Sequence, residues 1–173
     1  MAILQIQSKK SEVANFTRII EENKLKFYRT AKTILNNDDD VYDALQEALI
    51  SIYKNYSNLK NLQYFSTWAT KIVINKCYDL LRKTKKNIIP IDENIDRNIN
   101  VAKYDDYEID KYGIKKAMES LSEDLKLITI LYYYDDYSLK EISRILEIPE
   151  GTAKSRLSRA REILKQKLGK EQI

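Results

Sequence analysis

The stretch Ser138-Leu-Lys-Glu-Ile-Ser-Arg-Ile-Leu-Glu-Ile-Pro-Glu-Gly-Thr-Ala-Lys-Ser-Arg-Leu-Ser-Arg-Ala-Arg161 decides the reading of the fold. Ser138 with Glu141 three residues later is a capping box, each side chain satisfying a backbone N–H at the start of a helix. Leu139, Ile142, Ile145 and Leu146 then fall on one inward face. Glu147-Ile148 predicts a tight turn, and Pro149 suits the first turn of a following helix, where its missing N–H costs nothing. In that second helix Ala153, Leu157, Ala160, Leu164 and Leu168 share one face and Lys154, Ser155, Ser158 and Arg159 the opposite one, flanked by Arg156 and Arg161. From Pro149 to Lys170 seven bases stand against two acids, net +5. A short helix, a tight turn and a basic second helix are the parts of a DNA-binding helix-turn-helix; a basic helical hairpin within a bundle has the same pattern. On the first reading Lys154 and Arg159 reach base edges, Ser155 and Ser158 let the backbone approach the major groove, and Arg156 and Arg161 suit phosphates.

Upstream of this block the chain changes character. Between Asn87 and Tyr112 seven acids stand against three bases, net −4, around Pro90 and without sustained period. This stretch reads as a flexible linker, or as a long loop packed on a single domain. Glycine and proline number only three and two, at Pro90, Gly113, Pro149, Gly151 and Gly169. Long helical periods between so few breakers predict an all-α protein of two small domains, residues 1–86 and 113–173, joined by 87–112.

Within the first block Phe16, Ile19, Ile20, Phe27, Ala31 and Ile34 recur at helical spacing. Val41, Ala44, Leu45, Ala48, Leu49, Ile52 and Tyr56 do the same, which sends Asp43, Gln46, Glu47 and Ile50 to the opposite face. That face is either an ordinary solvated one or a protein-docking patch, and Ile50 among the polar groups is the hint of docking. Asp38-Asp39-Asp40 precedes it, where acids complement the helix dipole; a metal-dependent phosphoryl-transfer site is the competing reading. A third stripe comprises Phe65, Trp68, Ala69, Ile72, Val73, Cys77, Leu80 and Leu81, interrupted by Lys76. Opposite it Thr67, Lys71, Asn75, Tyr78, Arg82 and Lys86 line up. From Lys71 to Lys86 six bases stand against one acid, net +5. Such a face is either simply charged and solvated or a surface that neutralises phosphate and stacks on unpaired bases.

Composition excludes several chemistries. With no histidine among 173 residues, His-based zinc sites, Ser-His-Asp and Cys-His triads and histidine acid–base catalysis are all absent. The single cysteine, Cys77, excludes an internal disulfide, suits a reducing cytoplasm and predicts a buried core thiol. No cofactor or metal site is expected. No apolar run approaches the ~20 residues of a spanning helix, and the first residues lack a secretion signal.

The quoted stretch resembles region 4 of extracytoplasmic-function (ECF) sigma factors, carried by Pro149, Gly151-Thr152, Lys154-Ser155-Arg156 and Arg159-Ala160-Arg161. Asp43-Ala-Leu-Gln-Glu47 resembles region 2.2. Phe65-Ser-Thr-Trp68, with Asn75 and Asp79-Leu-Leu-Arg82, resembles regions 2.3 and 2.4. The pieces stand in the family's order and cover nearly the whole chain. Ser66 and Ile74 depart from the pattern, standing where arginine is common, and Ala153 replaces a commoner valine. The resemblance implies a non-enzymatic, cytoplasmic initiation factor for bacterial RNA polymerase, without catalytic residues. It implies that Asp43, Gln46 and Glu47 dock on the β′ clamp helices of core polymerase. Tyr64, Lys71, Asn75 and Arg82 would engage the opening −10 element, and Lys154, Ser155, Ser158 and Arg159 the −35 element, with Arg156 and Arg161 beside them. A sequestering anti-sigma factor, often at the membrane, is the implied partner. The alternative is a helix-turn-helix regulator that binds duplex DNA without joining polymerase; it leaves the first block unexplained.

Overall fold

A computed structural model describes the backbone of residues 2–87 and 113–169 and the side chains of 13–84 and 113–169. The segment expected to be a linker, beyond Asn87, lies outside the described residues. Among those residues the protein is all-α, as its periodicity predicts. In chain order the helices are α1 (Ala2–Ile34), α2 (Asp38–Asn55), α3 (Phe65–Asn87), α4 (Ile114–Glu119), α5 (Glu123–Tyr133), α6 (Leu139–Leu146) and α7 (Glu150–Leu168). Two short 3₁₀ turns, Tyr56–Asn58 and Leu62–Tyr64, bridge α2 to α3.

The helix ends follow local chemistry. Asn37 caps α2 by accepting from the Asp39 N–H at 2.8 Å, and Asp38, Asp39 and Asp40 fill the first turn, where the positive end of the helix dipole favours them. Asp38 also pairs with the largely buried Lys32. The cap is thus Asn37, and the aspartate triplet serves the helix dipole and Lys32; no group of three or more metal-ligating side chains converges among the described residues. The capping box of α6 is complete: Glu141 N–H donates to Ser138 Oγ at 3.3 Å and Ser138 N–H to Glu141 Oε2 at 2.9 Å. That carboxylate is held below its usual pKa chiefly by the Ser138 hydroxyl. Pro149, expected in the first turn of α7, is its N-cap, with extended ψ of 144° and Glu150 the first helical residue. Gly151 lies within that helix's first turn.

The apolar stripes meet in one core. Phe27, Ala31 and Leu35, Val41, Ala44, Ala48 and Ile52 of α2, and Phe65, Ala69, Val73 and Cys77 of α3 are buried together. Burial of a Leu, Ile or Phe side chain contributes roughly 1.5–3 kcal/mol. The same cluster continues without a break into Leu127, Ile128 and Leu131 of α5, Ile142 and Ile145 of α6, and Ala153 and Leu157 of α7. α1 packs on α5, and α3 on α6. A smaller cluster of Leu121, Leu125 and Ala160, with Met118, Ile163 and Leu164 against it, fastens α4 and α5 to the outer half of α7. Cys77 is wholly buried, and desolvation pushes its thiol up to about 12.

Candidate nucleic-acid and polymerase interfaces

The turn into α7 has an unusual hinge. Glu147 ends α6 with φ 53° and ψ 41°, a left-handed conformation usually given to glycine or asparagine. Ser143 Oγ braces the turn by donating to Ile148 O at 2.6 Å. α7 therefore buries Ala153, Leu157 and Ala160 and leaves Lys154, Ser155, Ser158 and Arg159 exposed along its outer face. The two flanking arginines are each held by α5 or its approach. Arg156 is half-buried, 3.1 Å from Asp124. Arg161 Nε donates to Tyr133 Oη at 2.7 Å, with its guanidinium carbon 5.4 and 5.6 Å from the Tyr132 and Tyr133 ring centres. Sequence reading missed this platform, although three consecutive tyrosines just before the helix-turn-helix were its signal.

On α2, Asp43, Gln46, Glu47 and Ile50 are all exposed on one face. Glu47 lies between two cations of α3: Lys76 Nζ is 3.4 Å from Oε2 and Lys83 Nζ 3.7 Å from Oε1. This accounts for Lys76, the charge that interrupts the apolar stripe of α3: its stem runs along the α2–α3 seam and its ammonium reaches the acidic face.

The basic face of α3 is open at Tyr64, Asn75 and Arg82 and partly covered at Thr67 and Lys71. Tyr64 is exposed at the entry to the helix, and Arg82 is exposed and paired with Asp79 at 2.5 Å. Lys71 instead pairs with Glu147 at 2.7 Å. Thr67 is buried, with its hydroxyl 3.4 Å from Glu141 Oε1. Asn75 and Tyr78 line a cleft of about 220 Å³ between α3 and α5–α7, shared with Asp124, Glu147 and Arg156. Lys86 lies beyond the described side chains.

Local pattern could not expose the groups that close this seam. Tyr137 is buried, its hydroxyl 2.5 Å from Ser66 Oγ and 2.7 Å from Thr70 Oγ1. Burial pushes its phenol above the ordinary tyrosine pKa, against the pull of those two hydroxyls. Arg29 Nη2 lies 2.5 Å from Asp135 Oδ1, and Lys26 Nζ donates to Asp135 O at 2.6 Å. Asp135 Oδ2 and the neighbouring Thr30 Oγ1 are both buried, the hydroxyl beside the carboxyl. Burial raises the Asp135 carboxyl pKa, and the hydrogen bond and charge of Arg29 oppose the rise.

Comparison with known proteins fits both blocks. The sigma-70 region 2 model matches residues 19–87 and the sigma-70 region 4 model residues 113–164. RNA polymerase sigma factor SigV of Bacillus subtilis is 30% identical over 97% of this chain and 99% of its own. The chain therefore belongs to the sigma-70 family of RNA polymerase sigma factors, the proteins that direct promoter-specific initiation of transcription. Its branch is the ECF group: ECF RNA polymerase sigma factor SigW of Bacillus subtilis is 30% identical over 94% of this chain and 93% of its own. The fold is shared with RpoE, solved with the anti-sigma factor NepR from Bartonella quintana, at TM-score 0.67 and 24% identity over 90% of this chain and 97% of that one. It is shared also with CnrH, solved with the cytosolic domain of CnrY, at TM-score 0.64 and 17% identity over 95% and 94%. A regulator that only binds duplex DNA accounts for α6 and α7 and leaves the region 2 match without a role.

Proposed function

We propose that this chain works as an ECF sigma factor with three separate surfaces on two units, residues 1–86 and 113–173. Asp43, Gln46 and Glu47 on α2 dock on the β′ clamp helices of core polymerase, with Ile50 as an apolar anchor among them. Tyr64, Lys71, Asn75 and Arg82 hold the opened −10 strand. Lys154, Ser155, Ser158 and Arg159 read the −35 duplex, and Arg156 and Arg161 steady the phosphates beside it. Polymerase supplies the catalysis, and this chain supplies none. Its place of work is the cytoplasm, where an anti-sigma factor, free or membrane-held, sequesters it; no described helix is long and apolar enough to cross a membrane.

The observation that carries this reading is the exposed polar face of α7 in the same chain as an exposed acidic face on α2. The chemistry divides accordingly. Duplex DNA is bound through phosphates and a few base edges. Extruded bases cost a few kcal/mol each to unstack, offset by stacking and charge on α3. Run-off transcription with core polymerase over a promoter library is the test. Initiation confined to a subset of promoters is expected; no initiation on any promoter, with duplex binding intact, favours the simple regulator.

A further inference from the structure

α5 meets the two arginines that flank the outer face of α7 in different ways. Asp124, in its first turn, offers Arg156 a carboxylate at 3.1 Å, so the two charges offset each other. Tyr133, its last residue, offers Arg161 a neutral phenol: Nε donates to Oη at 2.7 Å. The rings of Tyr132 and Tyr133 stand edge to face, 5.0 Å between centres and 79° between planes. The guanidinium carbon of Arg161 lies 5.4 and 5.6 Å from those centres, within the ~6 Å over which a ring face attracts a cation. Tyr132 is half-buried against the main core and anchors the platform, while Tyr133 and Arg161 are exposed. The last turn of a helix also carries the negative end of its dipole, which favours a cation there. No carboxylate pairs with Arg161 among the described residues, and its hydrogen bond to Tyr133 raises its pKa further. The charge is fixed in place without being neutralised. We propose that Tyr133 is a positioning residue of the duplex reader, holding Arg161 ready for a phosphate of the −35 element.

This inference rests on the −35 reading of α7 and deepens it. Lys154, Ser158 and Arg161 follow the i, i+4, i+7 spacing of one helix face. At 1.5 Å per residue, Arg161 lies about 10 Å beyond Lys154 along the axis. The start of a recognition helix enters the major groove, which is about 12 Å wide. A side chain that much further along stands at the rim of the groove, where the phosphates run. Tyr133 takes the Nε–H, so the paired terminal nitrogens of the guanidinium are left to grip phosphate oxygens. A long, unrestrained side chain loses rotamer freedom when it docks; here much of that freedom is given up before DNA arrives. The choice of a phenol over a carboxylate matters. An acid at position 133 would also order Arg161, but it would cancel the charge that displaces counterions from DNA.

The test uses holoenzyme reconstituted from the full chain and core polymerase. Its targets are a duplex promoter that the wild type transcribes and the same duplex with the −35 element scrambled. Affinity is measured over a series of salt concentrations, and circular dichroism checks that each variant stays folded. Arg161→Ala should weaken binding to both duplexes alike and reduce the slope of log affinity against log salt by about 1, the share of one phosphate. Tyr133→Leu should weaken both roughly three- to tenfold, with no further loss once Arg161 is replaced by alanine. Tyr133→Phe keeps the ring packing and repeats the comparison for the hydroxyl alone; it too should lose affinity only while Arg161 is present. Three results overturn the inference: an unchanged slope in Arg161→Ala, wild-type affinity in both Tyr133 variants, or a loss in them that is the same with and without Arg161. The −35 reading is judged separately. If wild-type holoenzyme binds the promoter and the scrambled duplex equally, that reading has failed and the role of Tyr133 falls with it.

Discussion

At the residue scale, position on a helix decides what each charge can do. Arg159 and Arg161 are two residues apart, yet Arg159 stands exposed on the outer face whereas Arg161 is drawn onto Tyr133. Arg159→Ala should weaken −35 duplex binding by about 1–3 kcal/mol if the side chain reads a base edge. Titration against the promoter and a scrambled duplex checks this, and equal losses on both reassign Arg159 to phosphate. Cys77 supplies a second prediction. With its thiol near 12 and no exposure, the reactive thiolate is scarce at pH 8. Iodoacetamide should leave the native protein unmodified and alkylate it rapidly in denaturant; fast native alkylation would mean that α3 opens readily. Burial of Cys77 was legible from its place in the apolar stripe. The partners of Tyr137 and Asp135 were not, because their hydrogen bonds join residues 67 to 109 positions apart, and no local period encodes such a pairing.

At the scale of elements, both ends of α6 were legible in residue type and spacing. Ser138 and Glu141 announce α6 by type and spacing, and both bonds of the capping box are made. Ser138→Ala should cost about 1 kcal/mol of stability, measured by chemical denaturation with Trp68 fluorescence and circular dichroism. The cap also has a pH signature. The folded carboxyl of Glu141 sits below its unfolded value of 4.5, so its contribution is complete above that value and lost as pH falls through the lowered one. Denaturation midpoints of Ser138→Ala and wild type should converge in acid; a constant gap down to pH 3 argues against the carboxylate's part in the cap. The turn falls at Glu147-Ile148, where it was expected, but the left-handed backbone of Glu147 was not legible, because a glutamate carries none of the glycine or asparagine chemistry that marks one. Pro149 stands at the start of α7 as expected, at the cap itself: its fixed φ suits both the cap and the first turn, and only ψ separates them.

For the molecule as a whole, the balance lies between one core and two tasks. Periodicity located the apolar faces of α1, α2, α3, α6 and α7 but not those of α4 and α5, where Leu125, Leu127, Ile128 and Leu131 of α5 are also core; the matching of regions 2 and 4 gave the faces a purpose. It could not say that the faces of α5 and α6 close against α1 and α3, since an inward stripe looks the same whatever it meets. Leu131 is wholly buried in that common cluster. Leu131→Ala should cost about 2–5 kcal/mol through lost burial and the cavity left behind. Because the core is continuous, the loss should appear in the unfolding of both units: the single tryptophan, Trp68, reports the first, and a fluorophore on Lys165→Cys the second. A variant that shifts only the second transition would show that the two groups of helices melt independently.

Two demands meet at Glu147. The backbone at this bend would be eased by glycine, yet glycine has no carboxylate to offer Lys71. A substitution that relieves the left-handed turn therefore gives up the charge contact with α3, so the two effects on stability oppose each other.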